Sequence, residues 1–483
     1  MSETGSSALC DYRSRICDGR KVITDGGPTS EITAHPYFSG VVDAIETYFR
    51  LQTTAPTLHM VTDGSKRKIP ISLSIPRTKA DLQRKRLSYK DIADASFGML
   101  RRTPDYMNAV IMSINVHASV LGQGKHTDFS ENIRAYYEHC AERNLFIAHA
   151  SINPQIDRAR PLSENGNAFC GVRIVRSDPH GIFVTGAKMI ATLAPIADEI
   201  LIFNMPGLQQ KDKDFAVAFA IPVATPGLTV FCRKTLTNAQ FSRSDKPLAN
   251  LFDEIDAYLL FEEVFVPWKR VFVCSDIQKS NLFFGGSFAR HHSGHQGIVR
   301  GLAKAELLTG VAVKLASMLG LDGFLGVQEQ IGELTTFLEI TRGLILLSES
   351  DAVINGYGVM TPSIHAIQAV RYNFPRMYEK MVKVIQSLAA GSMLSIPSFR
   401  NFSEHGNDPL MTALSGAGVD AKTRVRLLNL AWDITGDGFG QRQLVYEYNH
   451  AGDLTRIASG HFLNYDHTTL LDSVERALSQ CPS

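Results

Sequence analysis

Residues 145–152 read LFIAHASI, and 171–177, 181–194 and 199–206 follow as GVRIVRS, GIFVTGAKMIATLA and EILIFNMP. These are short runs rich in β-branched and aromatic residues, cut by Pro, Gly, Asp and Asn. DFAVAFAIPV (214–223), GLTVFCRK (227–234), AYLLFEEVFVP (257–267) and VFVC (271–274) continue the pattern to about Asp276. No helical pattern intervenes. The expectation is therefore an antiparallel sandwich or barrel, not a doubly wound parallel sheet.

On either side the period changes from two to about 3.6. Upstream, Tyr37, Val41, Val42, Ala44, Ile45 and Tyr48 form a helical stripe. Thr78–Arg84 and Ser88–Met99 read as two further helices, the second capped by Ser88 with Asp91 behind it. Phe129–Arg143 reads as another, and residues 1–27 as a lead-in that can still pack on a neighbour. Downstream, Gly297–Leu319 carries Ile298, Leu302, Ala305, Leu308, Val311 and Leu315 on one face, and Val327–Asn355, Pro362–Ala390 and Thr423–Thr435 follow. Such helices suit a bundle and can also supply a subunit interface. The expected architecture is α+β in three parts: an N-terminal helical domain (1–147), a middle antiparallel β-barrel (148–278) and a C-terminal helical bundle (279–483).

Composition excludes several functions. With 49 basic and 48 acidic side chains the formal charge is +1, which gives no electrostatic case for nucleic acid or an anionic membrane. No apolar run approaches the length of a membrane span, and the start of the chain has no apolar core of a signal peptide. The seven cysteines (10, 17, 140, 170, 232, 274 and 481) are scattered without a CxxC, which fits a reduced cytoplasmic setting. Neither GxGxxG after a strand nor GxxxxGK[ST] occurs, so a nucleotide cofactor would need another fold.

Four stretches carry candidate chemistry. In LRRTPDYMNAV (100–110), Thr103 can act as N-cap and Pro104 suits the first helical position. Arg102 then stands just before the helix and Tyr106 one turn inside it. Taken alone, such a pair is a solvated charge beside a core aromatic. HASINPQIDRARP (149–161) offers His149, an imidazole suited to acid–base work near neutral pH, ahead of a polar turn around Pro154. In GAKMIATLA, Thr192 can donate to a ring nitrogen of a planar cofactor, although Thr is also an ordinary strand residue. GDGFGQRQ (436–443) has three glycines in five residues, enough for close backbone approach, or simply for a helix end and turn. HHSGHQGIVRG (291–301) has three histidines but no Cys or acid at a ligand spacing, so no metal site is expected.

Together, LRRTPDYMN, HASINPQIDR, TGAKMIATLAPIADEI and GDGFGQRQLVYEYNHAGD stand in the order and spacing of the 4-hydroxyphenylacetate 3-monooxygenase oxygenase family, which the chain resembles over roughly residues 30–470. The resemblance implies an acyl-CoA dehydrogenase-like fold and a two-component flavin-dependent monooxygenase. Reduced FAD (FADH2) would arrive by diffusion from a separate NAD(P)H-dependent flavin reductase and form a C4a-hydroperoxide with O2. A phenolic substrate would be hydroxylated ortho to its hydroxyl, giving a catechol. Arg102, Tyr106 and His149 would surround the phenolic oxygen, where a cation and hydrogen-bond donors favour the more nucleophilic phenolate. His149, Ala150, Ser151, Gln155, Ile156, Asp157, Arg158 and Thr192 would lie along the flavin, with Gly440, Gln441 and Arg442 reaching it from the bundle. The family expectation is a homotetramer made through the bundle helices.

Three departures leave the substrate open. Arg101 stands where the family often has Gly, and is either a surface charge or the mark of an unusual substrate. Arg160 follows Ala159 where Ser-Lys is common. The segment 204–213, NMPGLQQKDK, matches no familiar pattern. Candidates are 4-hydroxyphenylacetate-like, tyrosine-derived, carrier-tethered or substituted phenols. The alternatives are N-oxygenation of an arylamine, oxidative dehalogenation or denitration of a phenol, and a 4-hydroxybutyryl-CoA dehydratase-like lyase. The last needs thiolates for an iron–sulfur cluster, and no Cys lies between 17 and 140.

Overall fold

The computed structural model describes residues 12–29, 31–157, 159–237, 240–404 and 408–480. Its order is helical, sheet, helical, the α+β arrangement expected. In the first part, α1 (Ser39–Thr54) buries Val41, Val42, Ile45, Tyr48 and Phe49. The two helices expected between Thr78 and Met99 are one, α2 (Lys79–Asp94), opened by a capping box between Thr78 and Asp81. That reciprocal cap satisfies two helix-end donors at once, so the helix runs through Ser88. Ser88 is an interior residue whose hydroxyl meets His59 Nδ1 at 2.9 Å. Helices α3 (Pro104–Val116) and α4 (Phe129–Arg143) complete this part.

The middle part gathers its strands into two sheets. The larger joins β1 (Val22–Thr24), β2 (Gly27–Thr29), β4 (Arg173–Ser177), β5 (Gly181–Lys188), β8 (Leu228–Cys232) and β9 (Ala257–Pro267) in the order β2-β1-β8-β9-β5-β4. The smaller joins β3 (Ile147–Ala150), β6 (Glu199–Ile202), β7 (Val217–Pro222) and β10 (Val271–Cys274) in the order β10-β7-β6-β3. Among the described residues no ladder joins the two sheets into one closed ring. They meet face to face, as where Phe219 packs edge-on against Phe261 at 6.1 Å. Most pairs are antiparallel, but β1–β8 and β3–β6 are parallel. Both exceptions involve strands that arrive from the N-terminal part rather than through a hairpin. Alternation in sequence carries no strand direction.

The lead-in is tied down where it is described. Tyr12 donates its hydroxyl to the Ile196 carbonyl at 2.9 Å, and Arg20 donates to Pro195 and Ala197 carbonyls at 2.9 and 2.7 Å.

The last part consists of α5 (Ala289–Met318), α6 (Leu325–Ser350), α7 (Ile364–Ala389), α8 (Ala421–Thr435), α9 (Gly438–Asn449), α10 (Leu454–Asn464) and α11 (Thr468–Leu478). The predicted stripe of α5 is buried from Ile298 to Leu315. The helix starts at Ala289 rather than Gly297, because Gly294 is a packing residue, not a break. A Cβ there would stand 2.8 Å from Ile367, so glycine lets α5 and α7 approach. One apolar cluster runs from Tyr12 through the sheets to Phe439 and joins the three parts.

Candidate active site

The stretch 100–110 lies where the three parts meet. Thr103 is the N-cap and Pro104 occupies the first turn, yet the Thr103 hydroxyl makes no capping bond. The preceding backbone is held instead by Glu254, whose Oε1 accepts the N–H of Arg101 and, at 2.9 Å, that of Arg102. This anchor turns the Arg102 guanidinium over the Tyr106 ring at 4.1 Å, with the Tyr446 ring at 5.9 Å. Among the described residues no carboxylate forms an ion pair with it. Its charge is stacked on aromatic faces, and Glu254 acts on it from a distance without pairing with it.

Strand β3 brings His149 to the same place. Its ring lies 5.8 Å from Tyr106 and 6.0 Å from Phe203, and Phe203 stacks in turn on Phe284 at 5.7 Å. Burial, and then the nearby Arg102 charge, hold the imidazole well below its ordinary pKa. It is neutral at physiological pH, and no hydrogen bond from a described residue fixes either ring nitrogen. The three residues expected around a phenolic oxygen thus form one row of cation, phenol and neutral imidazole.

Beyond β3 the chain is irregular. Ala150 is buried, Ser151 half-buried, and Gln155, Ile156 and Asp157 are exposed. Arg158 lies outside the described residues. The loop is held at Asn153, whose Oδ1 accepts Lys188 Nζ at 2.7 Å. The same buried amine donates to the Phe203 carbonyl at 3.0 Å and Asn204 Oδ1 at 2.8 Å. With only neutral acceptors around it, burial pushes its pKa down to about 7. Lys188 therefore ties the loop after His149 to the strand end that supplies Phe203. In the segment 204–213, Gly207 and Leu208 donate backbone N–H groups to Asn281 Oδ1 at 3.0 and 3.1 Å.

The bundle-side candidates divide. A Cβ on Gly440 would stand 2.4 Å from the Ile434 carbonyl carbon, so this glycine permits the tight α8–α9 corner. Gln441 donates Nε2 to the Thr435 carbonyl at 2.6 Å and closes the end of α8. Arg442 reaches the Arg101–Arg102 stretch through carboxylates. Its Nη1 meets Glu254 at 2.8 Å, and its Nε and Nη2 meet Asp256 at 3.1 and 3.0 Å. Thr192 Oγ1 donates to Asp256 at 2.7 Å. Burial opposes ionisation of Asp256, but the Arg442 charge outweighs it and holds the carboxyl below its usual range. Glu254, fully buried, is raised by desolvation.

Arg101 is no surface charge. It is 6% exposed, and its Nη1 meets Glu447 at 2.9 Å. Glu447 also accepts Arg300 at 2.7 Å and Lys304 at 2.7 Å. Next to it, the Tyr446 ring lies under Arg442 at 4.6 Å and Arg101 at 5.3 Å, with a buried hydroxyl that has no partner among the described residues. The histidine run falls on α5, where His295 meets Glu349 at 3.0 Å and Gln296 meets Asp105 at 3.1 Å.

Sequence reasoning missed Lys188, Phe203, Glu254, Asp256, Tyr446 and Glu447. One signal was available: Asp253-Glu254-Ile255-Asp256 places three acids immediately before an apolar strand, where solvent-facing charge has no obvious purpose.

Fold and site together define a class: an α+β protein with a row of cation, phenol and neutral imidazole at the seam between a helical part and a sheet. The family models for the N- and C-terminal parts of 4-hydroxyphenylacetate 3-hydroxylase match residues 10–273 and 280–479, and the chain belongs to this family. It is 36% identical over 433 residues to the 4-hydroxyphenylacetate 3-monooxygenase oxygenase component of Thermus thermophilus, covering 89% of each chain. A solved structure of such an oxygenase component, complexed with FAD and 4-hydroxyphenylacetate, matches with a TM-score of 0.92 at 33% identity, covering 99% of each chain. A Streptomyces globisporus monooxygenase acting on a peptidyl-carrier-bound chlorohydroxyphenyl amino acid is 28% identical over 478 residues, 94% of this chain and 88% of that one.

Proposed function

We propose that this chain is the oxygenase component of a two-component flavin-dependent monooxygenase that hydroxylates a phenol ortho to its hydroxyl group. The observation that carries the reading is the row Arg102–Tyr106–His149, in which, among the described residues, the cation has no ion-pair partner and the neutral imidazole no hydrogen bond. Arg102 and the Tyr106 hydroxyl bind the phenolic oxygen. Neutral His149 accepts its proton or hydrogen bond, and the developing phenolate is offset by the guanidinium.

The residues present suit reduced FAD. The irregular loop 151–157 leaves Ile156 exposed, and its start pairs with Met189, three residues before the buried Thr192, a setting for a broad ring with polar edges. His149, Ala150, Ser151, Gln155, Ile156, Asp157 and Thr192 would hold it, with Arg442 behind. When bound, reduced FAD supplies with O2 the electrophilic oxygen. The protein's part is to orient the phenol, keep its oxygen anionic and exclude water.

The flavin would come from a separate NAD(P)H-dependent reductase. The phenol is either free and 4-hydroxyphenylacetate-like, or tyrosine-derived and carrier-tethered. Helix α11 exposes Leu470, Leu471, Val474 and Leu478 and buries none of its residues within the chain, which supports assembly through the bundle as a homotetramer. No helix among the described residues is long and apolar enough to cross a membrane. The lyase alternative is disfavoured, because Arg102 and Tyr106 stand where it requires thiolates.

Anaerobically photoreduced FAD, mixed with the protein, O2 and a panel of free and thioester-linked phenols, tests the reading by chromatography. Catechol is expected from at least one phenol. Hydrogen peroxide as the only product with every phenol would refute it. Tyr106→Phe and His149→Ala should each abolish most hydroxylation while reduced FAD still binds.

A further inference from the structure

We infer that Lys188 is a positioning residue that orients the His149 imidazole through the Phe203 ring. This rests on the proposed role of His149; every contact in it lies within the chain. Lys188 closes β5 in the larger sheet, where its backbone pairs with Leu259 of β9. Its side chain crosses to the end of β6 in the smaller sheet. There Phe203 stands one residue beyond the ladder that pairs His149 with Leu201 and Ala150 with Ile202. The Phe203 N–H donates to the Ala150 carbonyl at 3.3 Å, a long bond, so the bond from Lys188 to the Phe203 carbonyl at 3.0 Å is the firmer one.

A working imidazole is commonly aimed by a hydrogen bond on its second nitrogen. Among the described residues none reaches either nitrogen of His149, so packing alone sets its plane. The rings against it are Tyr106 at 5.8 Å and Phe203 at 6.0 Å, the second within 22° of parallel. Phe203 is braced in turn by Phe283 and Phe284 at 5.8 and 5.7 Å. Apolar contact has no preferred direction, whereas a hydrogen bond has one. Lys188 supplies that direction to Phe203.

The ammonium is matched to its surroundings. Nζ has three protons and three acceptors: Asn153 Oδ1 at 2.7 Å, the Phe203 carbonyl at 3.0 Å and Asn204 Oδ1 at 2.8 Å. Asn153 packs closely on Gly171, where a Cβ would stand 3.3 Å from its Oδ1. Asn204 donates its Nδ2 to the Phe215 carbonyl at 2.8 Å. Both asparagines are therefore held, and the donor that meets the Phe203 carbonyl is held with them. Among the described residues no carboxylate pairs with the charge. Burying an unpaired ammonium opposes folding, so a bridge needed only for stability would be better made by an apolar side chain.

The test uses the full chain with photoreduced FAD, O2 and a phenol that it hydroxylates, and compares Lys188→Met, Phe203→Leu and His149→Ala singly and in pairs. Met keeps the stem of Lys188 and removes the ammonium. Lys188→Met should lower kcat about tenfold and leave KM for the phenol nearly unchanged, because the aim of the imidazole alters proton removal more than binding. Added to His149→Ala, it should cause no further loss of the residual activity, since its only route to the reaction is the imidazole. Phe203→Leu keeps all three bonds of Lys188 and should behave alike, so it decides the matter if Lys188→Met fails to fold. An unchanged kcat in both variants, or a loss that adds to that of His149→Ala, would overturn the inference. A crystal structure of Lys188→Met should show the Phe203 ring and the His149 plane displaced together, and rings left in place would overturn it whatever the activity. Failure of the unaltered protein to hydroxylate any phenol would refute the proposed function instead, and the crystal structure would still decide the placement.

Discussion

Two buried charge clusters hold the same dipeptide, Arg101–Arg102, from opposite sides, with opposite balance. On one side Asp253, Glu254 and Asp256 face Arg233 and Arg442. On the other, Glu447 alone faces Arg101, Arg300 and Lys304. Glu254 takes the backbone of the dipeptide, and Glu447 takes the Arg101 side chain. Arg102 is left over, its guanidinium directed at aromatic rings. A cation kept from its own carboxylates is available to an incoming anion, so the base-rich cluster occupies Arg101 and leaves Arg102 open for the role proposed for it.

The comparison predicts graded failures. Glu447→Gln should be the most damaging change, since it leaves three buried cations without a counter-charge, at a cost of about 3–5 kcal/mol. Thermal or urea unfolding should show it, and a variant of native stability would dissolve the distinction between the clusters. Glu254→Gln should cost less stability, about 1.5–3 kcal/mol, because Arg442 keeps Asp256. Its main effect should be on kcat/KM for hydroxylation, as the backbone before Arg102 loses its charged anchor; reduced FAD binding should change less. Arg101→Met removes one of three cations from Glu447 and should cost about 1 kcal/mol, with hydroxylation of the same phenols largely retained. A change in which phenols are accepted would instead assign Arg101 to specificity.

The smallest expected effect is a pH dependence. The folded pKa of His149 is below its unfolded value near 6.5, so the unfolded chain binds the extra proton first. Stability should be flat with respect to this group above pH 6.5 and should fall as pH drops below it. His149→Ala should remove that slope. In the free enzyme, the acid limb of kcat/KM due to the imidazole should lie well below 6.5.

Much of this was legible in the residues, and the misses have physical reasons. The change of period at 144–147 located the sheets except for β1 and β2, which the lead-in supplies, and Arg102, Tyr106 and His149 came together as one row. Acidic residues are mostly exposed, so nothing in the sequence alone singles out Glu254, Asp256 and Glu447 as buried. Their partners, from Arg101 to Arg442, lie far away in sequence, and only the tertiary fold pairs them. The glycine run at 436–440, read by itself as a helix end and turn, does form one, with Gly440 at the corner. The parallel pairings escaped because pattern fixes which face a residue occupies, not the direction of its neighbour.

The loop 204–213 is fastened at both ends of its first half, by Lys188 at Asn204 and by Asn281 at Gly207 and Leu208, while Met205, Pro206 and Gly207 are exposed. None of these fasteners belongs to either charge cluster. A substitution between Met205 and Gly207 therefore leaves both clusters, and the residues proposed to hold the phenol, untouched: the exposed turn is a place where this surface can change without cost to the buried charges.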